Sequence, residues 1–169
     1  DPSMRGGGLH QTPKGGLLKL HADFNKHDAN FLDRRINVIF YMNKNWKEEY
    51  GGSLELWDQA VTKCEVKILP IFNRLAIFSP TSKTFHGHPD PLTCPDGDSR
   101  KSLALFYYTN GRPANETNQS HTTIFAERPH ESIGGMRWRV SQDYMPPVLF
   151  RAMRRFRERH LANTIQKRG

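Results

Sequence analysis

The sequence predicts a mainly β fold built from antiparallel strands, arranged as a sandwich or a barrel. Short runs rich in β-branched and aromatic residues follow one another closely along the chain. Gly, Pro and Asn separate these runs, and no helical periodicity lies between them. This pattern is typical of antiparallel sheets that pack face to face or close on themselves.

The predicted strands begin with a strand-like run at 15–23 and a run of β-branched and aromatic residues at 36–42. Alternation along the second run gives Asn37, Ile39 and Tyr41 one face of the sheet. The remaining predicted strands are 53–57, 64–71, 74–79, 85–88 and 103–109, with 122–126 as an extra edge strand.

The chain of 169 residues is long enough for one core. We expect one β domain over 1–145, with its core at about 9–110, followed by a basic amphipathic helix over 146–169. The apolar side of that helix recurs at steps of three and four residues. Its members are Leu149, Met153, Phe156 and His160. We interpret this side as a face packed on the β domain; the alternatives are a partner site and a helix that extends from the domain.

Charge and composition limit the partners that we expect. Residues 151–169 contain seven Lys or Arg and one Glu, so most of the net charge of +8 belongs to this segment and not to the β domain. Nucleic acid is therefore not an expected partner of the domain. An alternative is that the basic segment binds an anionic polymer, which would make binding strongly salt-dependent.

No apolar run approaches the ~18 residues that a membrane span needs, and no signal-peptide pattern opens the chain. Cys64 and Cys94 lie far apart and form no Cys-x-x-Cys pair, so we interpret both as reduced thiols. We therefore expect a cytoplasmic, monomeric protein.

A candidate metal site ends the first strand. His21 and Asp23 are two residues apart, so in a strand their side chains point to the same side. His86 is the candidate third ligand, and two imidazoles with one carboxylate suit non-haem Fe(II). The His-x-Asp pattern alone is weak, since a second copy occurs at His88 and Asp90. The prolines beside that copy disfavour a paired strand.

A candidate carboxylate site opens the last strand. Arg100 and Ser102 share a strand face and offer a forked cation and a hydroxyl to an anion. If the strand slipped by one residue, Lys101 would face inward instead. We favour Arg100, because Leu103, Leu105 and Tyr107 then share the other face.

The order His-x-Asp, distal His, then Arg-x-Ser resembles the Fe(II)/2-oxoglutarate-dependent dioxygenases, and residues 34–46 and 51–57 resemble their prolyl 4-hydroxylase-like branch. The resemblance implies a double-stranded β-helix, or jelly roll. It implies that His21, Asp23 and His86 are catalytic and hold Fe(II). Arg100, Ser102 and Tyr41 would bind 2-oxoglutarate; for Tyr41, a packed core tyrosine remains the alternative.

The implied reaction is hydroxylation of an unactivated C–H bond, with release of succinate and CO2 and with ascorbate as a candidate reductant. The substrate would be a small molecule or a peptidyl group such as a prolyl residue. Asp23 favours hydroxylation, because related halogenases carry a small residue at this place. The alternative from another class is a cupin-like module that binds metal without catalysis.

Two loops flank the predicted site. The polar stretch 24–34 is interpreted as a substrate-facing loop, in which His27 and Asp28 form a solvated pair. The stretch 87–99 is rich in Pro and is a candidate lid. His88 is interpreted as a residue beside the metal ligands, a lid residue or a solvated histidine.

Overall fold

A computed structural model describes residues 4, 6–27, 29–113, 116, 119–129 and 131. The predicted helix at 146–169 and the predicted domain end at 145 lie outside the described residues, as does Asp28. No helix in the described ranges is long and apolar enough to cross a membrane.

The described residues form nine strands and one short 3-10 helix at Glu48–Tyr50. The strands are β1 Gly8–Pro13, β2 Leu18–Ala22, β3 Asp33–Tyr41, β4 Leu54–Trp57, β5 Cys64–Ile68, β6 Leu75–Phe78, β7 Phe85–His88, β8 Ser99–Thr109 and β9 Ile124–Phe125.

The strands pair as if one long hairpin had been wound into two sheets. β1 pairs with β8, β2 with β7, β3 with β6 and β4 with β5, all antiparallel. The winding produces a four-stranded sheet of order β1-β8-β3-β6 and a five-stranded sheet of order β5-β4-β7-β2-β9. This is the jelly-roll arrangement, so the predicted mainly β, double-stranded β-helix fold is confirmed.

Most predicted strands are present, with ends that differ by a few residues. β7 has the predicted bounds, whereas β3 begins at Asp33, three residues earlier than predicted. β1 was not predicted, because Gly8–Pro13 contains no β-branched or aromatic run beyond one Thr. It forms through pairing with β8, from Gly8 opposite Ala104 to Pro13 opposite Ser99.

Two small apolar clusters hold the body together. Tyr41, Leu54 and Ala76 form the first cluster. Trp46, Leu92 and Cys94 form the second, beside the start of β8. Cys64 and Cys94 are both free thiols, as predicted.

The loop between β7 and β8, interpreted from sequence as a lid, is fastened to the body on both sides. Leu92 and Cys94 are buried within it. The Leu92 carbonyl accepts a hydrogen bond from the Gly15 amide, and the Leu92 amide donates to the Gly16 carbonyl. The Thr93 amide donates to the Tyr50 carbonyl. These contacts hold the middle of the loop in place, which does not favour the lid interpretation.

Candidate metal centre

The pairing of β2 with β7 brings His21, Asp23 and His86 together. His21 lies directly opposite His86 in the register of the two strands, and Asp23 follows the end of β2. One ligand atom from each residue lies within 4.8 Å of the other two. The His21 and His86 rings are 4.5 Å apart between centroids, and all three side chains are buried.

Backbone carbonyls fix which nitrogen of each histidine carries the proton. The Nδ1 atom of His21 lies 2.8 Å from the Lys19 carbonyl oxygen, and Nδ1 of His86 lies 3.2 Å from that of Thr84. Because a carbonyl oxygen only accepts, both Nδ1 atoms are the donors. The Nε2 lone pairs therefore remain for a metal, as in most histidine-ligated sites.

Both Nε2 atoms face the Asp23 carboxylate. Nε2 of His21 is 3.7 Å from Oδ1, and Nε2 of His86 is 3.3 Å from Oδ2. With the proton on Nδ1, each contact places an acceptor nitrogen near an acceptor oxygen, and this arrangement is unfavourable without a cation between them. Two neutral imidazoles and one carboxylate suit Fe(II) and leave coordination positions open.

A buried arginine and a buried amide hold Asp23. Nδ2 of Asn37 donates to Oδ2 of Asp23 at 2.7 Å, and Nη2 of Arg34 lies 3.0 Å from the same oxygen. Nε of Arg34 donates to Oδ1 of Asn37 at 2.9 Å, which closes the triangle. The guanidinium is sandwiched by aromatic rings, 3.4 Å from the Phe106 centroid and 4.5 Å from that of Phe24. Because Oδ2 is occupied in this way, Oδ1 is the better placed metal donor.

Burial and neighbouring charge decide the protonation of these groups. Burial lowers the pKa of His21 to about 4, and the adjacent His86 acts in the same direction. Burial alone would raise the pKa of Asp23, but the contact with His86 and the charge of Arg34 outweigh it and hold that pKa well below its ordinary value. The centre therefore contains a neutral His21 and an ionised Asp23 near neutral pH.

Sequence reasoning missed Arg34, which it had assigned to the loop before β3. The pairing of β3 with β8 shifts register between Arg34 and Ile36, as in a β-bulge. In a regular strand, residues 34 and 37 would point to opposite faces, but here Arg34 and Asn37 are both buried beside Asp23. The sequence placed Asn37 on the inner face but assigned it no contact with the carboxylate.

The candidate carboxylate site lies on the inner face of the four-stranded sheet. Arg100 and Ser102 are buried on β8, and Ser102 lies opposite Tyr41 of β3. Nη2 of Arg100 donates to the Tyr41 hydroxyl at 3.3 Å, and Nε donates to the Gly52 carbonyl at 2.8 Å. The side chain of Lys101 is 42% exposed, so the register is the one with Arg100 inward.

Gly52 shapes the place where Arg100 lies. It has φ +73°, a conformation that favours glycine, and a Cβ there would come within 2.9 Å of Cδ of Arg100. None of the described carboxylates pairs with Arg100, although its guanidinium is buried. Because a buried cation without an anion is costly, this site fits an incoming carboxylate such as that of 2-oxoglutarate.

His88 extends the row of inward histidines. It is two residues beyond His86 on β7 and is only 4% exposed, which excludes the solvated interpretation. Its Nδ1 atom has no hydrogen-bond partner among the described residues. Burial lowers the pKa of His88 well below its usual value, and the charge of Arg100 acts in the same direction.

Gly87 separates the two histidines where β2 carries an irregularity. The register between β2 and β7 shifts between Leu18 and His21. A Cβ at position 87 would lie 2.7 Å from the Leu18 carbonyl oxygen and 2.8 Å from that of Lys19. The β2 backbone therefore presses against Gly87, and only glycine fits without a shift of the strands.

The interpretation of His27 as solvated is wrong. His27 is 6% exposed, its ring meets the Tyr108 ring edge-on at 5.3 Å, and its Nδ1 accepts from the Ala29 amide. Its backbone amide also bonds the Leu32 carbonyl, so it closes a compact turn of the 24–32 loop. A polar loop sequence does not reveal such local closure.

Comparison with known proteins identifies the family. Residues 7–108, well over half of the chain, match the 2OG-Fe(II) oxygenase superfamily. The chain is 31% identical over 86 residues to prolyl 3-hydroxylase OGFOD1 of Mus musculus, a match that covers 48% of this chain and 15% of that protein. The chain thus spans about 15% of the length of this curated relative.

Solved structures give partial matches. A prolyl hydroxylase of Trichoplax adhaerens, in complex with a peptide from the oxygen degradation domain of hypoxia inducible factor, is 28% identical, with a TM-score of 0.46 over 59% of this chain and 41% of that one. A prolyl-4-hydroxylase of Pseudomonas putida is 18% identical, with a TM-score of 0.45 over 63% of this chain and 52% of that one. On the family match, this chain belongs to the 2OG-Fe(II) oxygenase superfamily, whose name specifies Fe(II) and 2-oxoglutarate.

Proposed function

We propose that this chain is an Fe(II)- and 2-oxoglutarate-dependent dioxygenase that hydroxylates an unactivated C–H bond. The observation that carries the proposal is the convergence of His21, Asp23 and His86 in one buried place. The buried guanidinium of Arg100, with which none of the described carboxylates pairs, supports it. Family membership supports the same reaction class.

Each group has a distinct role in this proposal. His21 and His86 offer Nε2, and Asp23 offers Oδ1, as metal donors. Asn37 and Arg34 keep the carboxylate of Asp23 ionised and in one orientation.

Arg100 and Tyr41 form the other end of the site, with Ser102 facing Tyr41. A charge-assisted pair with Arg100 fixes the far carboxylate of 2-oxoglutarate, and the hydroxyls of Tyr41 and Ser102 add neutral hydrogen bonds. With O2 as the oxidant, bound Fe(II) and 2-oxoglutarate would supply the chemistry that places one oxygen atom on the substrate as hydroxyl and the other in succinate, with release of CO2. The protein's own contribution is to orient them and to exclude water, since every side chain in the site is buried.

The proposed substrate is a prolyl group, another peptidyl group or a small molecule. Prolyl groups are the first class to test, because the relatives that match this chain are prolyl hydroxylases by name. Other peptidyl groups and small molecules belong to the same panel, since fold does not determine substrate.

The test is Fe(II)-dependent succinate release from 2-oxoglutarate, measured over a panel of prolyl peptides and small molecules, with the hydroxylated product detected by mass spectrometry. His86→Ala should abolish both metal binding and succinate release, because it removes one of three donors. The matched control is His121→Ala, since His121 bonds Ser82 outside the triad and should keep both. Undiminished turnover by His86→Ala would contradict the proposal.

Three further properties belong to this proposal. Ascorbate is the candidate reductant that maintains the iron as Fe(II), and omitting it should lower the number of turnovers. A monomeric state and a cytoplasmic location are proposed as well. Sedimentation of the purified protein and fractionation of cells test them directly.

A further inference from the structure

One ring nitrogen of a buried histidine in the site has no hydrogen-bond partner among the described residues. The side chain of His88 is 4% exposed, and its Nδ1 atom meets no donor or acceptor among the described residues. Buried polar groups are nearly always hydrogen-bonded, so an orphaned one calls for an explanation. A ligand that brings its own oxygen atom is one explanation that also accounts for the position of the ring.

The position of His88 points toward the Arg100 end of the site. His86 and His88 lie on one face of β7, and His88 is about 6.6 Å further along the strand than the metal donor. β7 runs antiparallel to β4, with Glu55 opposite Gly87, so His88 lies toward the end of β4 that follows Gly52. The Gly52 carbonyl accepts a hydrogen bond from Nε of Arg100. The ring therefore lies beyond the metal centre, toward the guanidinium.

The chemistry of the neighbours selects the ligand atom. Arg100 can only donate, and none of the described carboxylates pairs with it. A neutral imidazole can place its proton on Nδ1 and donate as well. An anionic oxygen that lay between His88 and Arg100 would accept a hydrogen bond from both donors.

We propose that His88 donates a hydrogen bond from Nδ1 to the distal carboxylate of 2-oxoglutarate, the same carboxylate that Arg100 binds. His88 thereby selects a 2-oxo acid that carries a second carboxylate over one that does not. This inference rests on the proposed function, because it assigns a further residue to that same cosubstrate site.

The experiment measures binding and not turnover. Calorimetric titration of the Mn(II)-loaded protein without Fe(II) gives Kd values for 2-oxoglutarate and for 2-oxobutyrate, a 2-oxo acid that lacks the distal carboxylate. Three proteins are compared: the unaltered chain, His88→Leu and His88→Asn. Leu fills similar space without a donor, whereas the Asn amide nitrogen occupies nearly the place of the histidine Nδ1.

We expect His88→Leu to weaken 2-oxoglutarate binding by about 10- to 100-fold, as for loss of one hydrogen bond to a charged group. His88→Asn should recover most of that loss. The Kd for 2-oxobutyrate and the Kd for Mn(II) should be the same in all three proteins. Circular dichroism checks the fold, and His88→Asn keeps the test decisive if His88→Leu does not fold.

Two results overturn the inference alone. An unchanged 2-oxoglutarate Kd in His88→Leu would remove His88 from the cosubstrate site and leave the proposed function standing. An equal loss for both 2-oxo acids would mean that His88 does not contact the distal carboxylate. Failure of the unaltered, Mn(II)-loaded protein to bind 2-oxoglutarate would instead overturn the proposed function together with this inference.

Discussion

The two faces of the four-stranded sheet reverse the usual distribution of polarity. The inner face buries charged and polar side chains, which include Arg34, Asn37, Arg100 and Ser102. The outer face exposes large apolar side chains on neighbouring strands. These are Leu9 on β1, Tyr107 on β8, Ile36 on β3, and Leu75 and Ile77 on β6. Soluble domains more often bury the apolar face and solvate the polar one.

This difference indicates that ligand binding constrains the inner face, whereas strand pairing constrains the outer face. On the inner face, Arg34 and Asn37 bond each other and Asn37 bonds Asp23, while Arg100 bonds Tyr41, so we expect substitutions of these residues to alter ligand binding. The outer residues form cross-strand pairs such as Ile36 with Tyr107 and Val38 with Ile77. Those pairs favour strand formation but contact no group of the site.

The largest expected effect is at Arg100. Arg100→Ala should raise the 2-oxoglutarate concentration required for half-maximal turnover by about 100-fold or more, because truncating one partner of a buried charge pair costs ~2–5 kcal/mol. Lys101→Ala is the matched control, since its side chain is 42% exposed and its partners among the described residues are Asp98 and the Ser99 carbonyl. A larger effect at Lys101 would mean that the carboxylate is bound on the outer side of β8.

A second prediction concerns the pH dependence of the metal-free protein. Because the pKa of His21 falls from 6.5 to about 4 on folding, the unfolded chain binds more protons between these two values. The free energy of unfolding should therefore decrease as pH falls from 6.5 toward 4, by an amount on the order of 3 kcal/mol from His21. Urea unfolding across this range measures it.

His88 adds to the same slope, since its pKa is lowered in the same direction. His88→Leu should therefore show a shallower loss of stability on acidification than the unaltered chain. A free energy of unfolding that stays constant between pH 6.5 and 4.5 would show that the inner histidines are not buried in their neutral form.

A smaller effect is expected where a residue acts through Asp23. Asn37→Leu removes the hydrogen bond to Oδ2 without removing a metal donor, so the affinity for Mn(II) should fall by about 10- to 100-fold. Asn37→Asp is not a suitable rescue, because it adds a charge; Asn37→Gln tests whether any amide suffices. Unchanged Mn(II) affinity in Asn37→Leu would assign the orientation of Asp23 to Arg34 alone.

The smallest effect is expected on the outer face. Ile77→Thr exchanges one β-branched side chain for another at a position that is 63% exposed, so the free energy of unfolding should change by less than about 0.5 kcal/mol. The matched inner change is Ile39→Thr, next to the Tyr41 cluster, with an expected loss of about 1–3 kcal/mol. Equal losses at both positions would mean that the outer face is also packed.

Most strands and the spacing of the candidate ligands could be predicted from the sequence, because they depend on neighbouring residues along the chain. The bounds of β7 and the residues that share a face with Tyr41 and with Arg100 could be predicted from strand patterns, and the family resemblance indicated which of these faces is inward. The contact of Arg34 with Asp23 could not be predicted, because a bulge changes the face of β3 on which Arg34 lies. β1 could not be predicted either. Its own composition does not favour a strand, and its pairing with β8 stabilises it. The ligand roles of His21, Asp23 and His86 stay predictions until metal binding is measured.

Gly87 sets the alignment of the whole site. Sheets tolerate sliding of one strand past its neighbour when nothing distinguishes one alignment from the next, and a slide of one residue would turn His86 and His88 outward. The protruding carbonyls of Leu18 and Lys19 fit only against a position that has no side chain. Because glycine has no Cβ, position 87 can lie against these carbonyls, whereas a position with a side chain cannot. The absence of a side chain at this one position therefore favours the observed alignment of β2 and β7 over an alignment shifted by one residue.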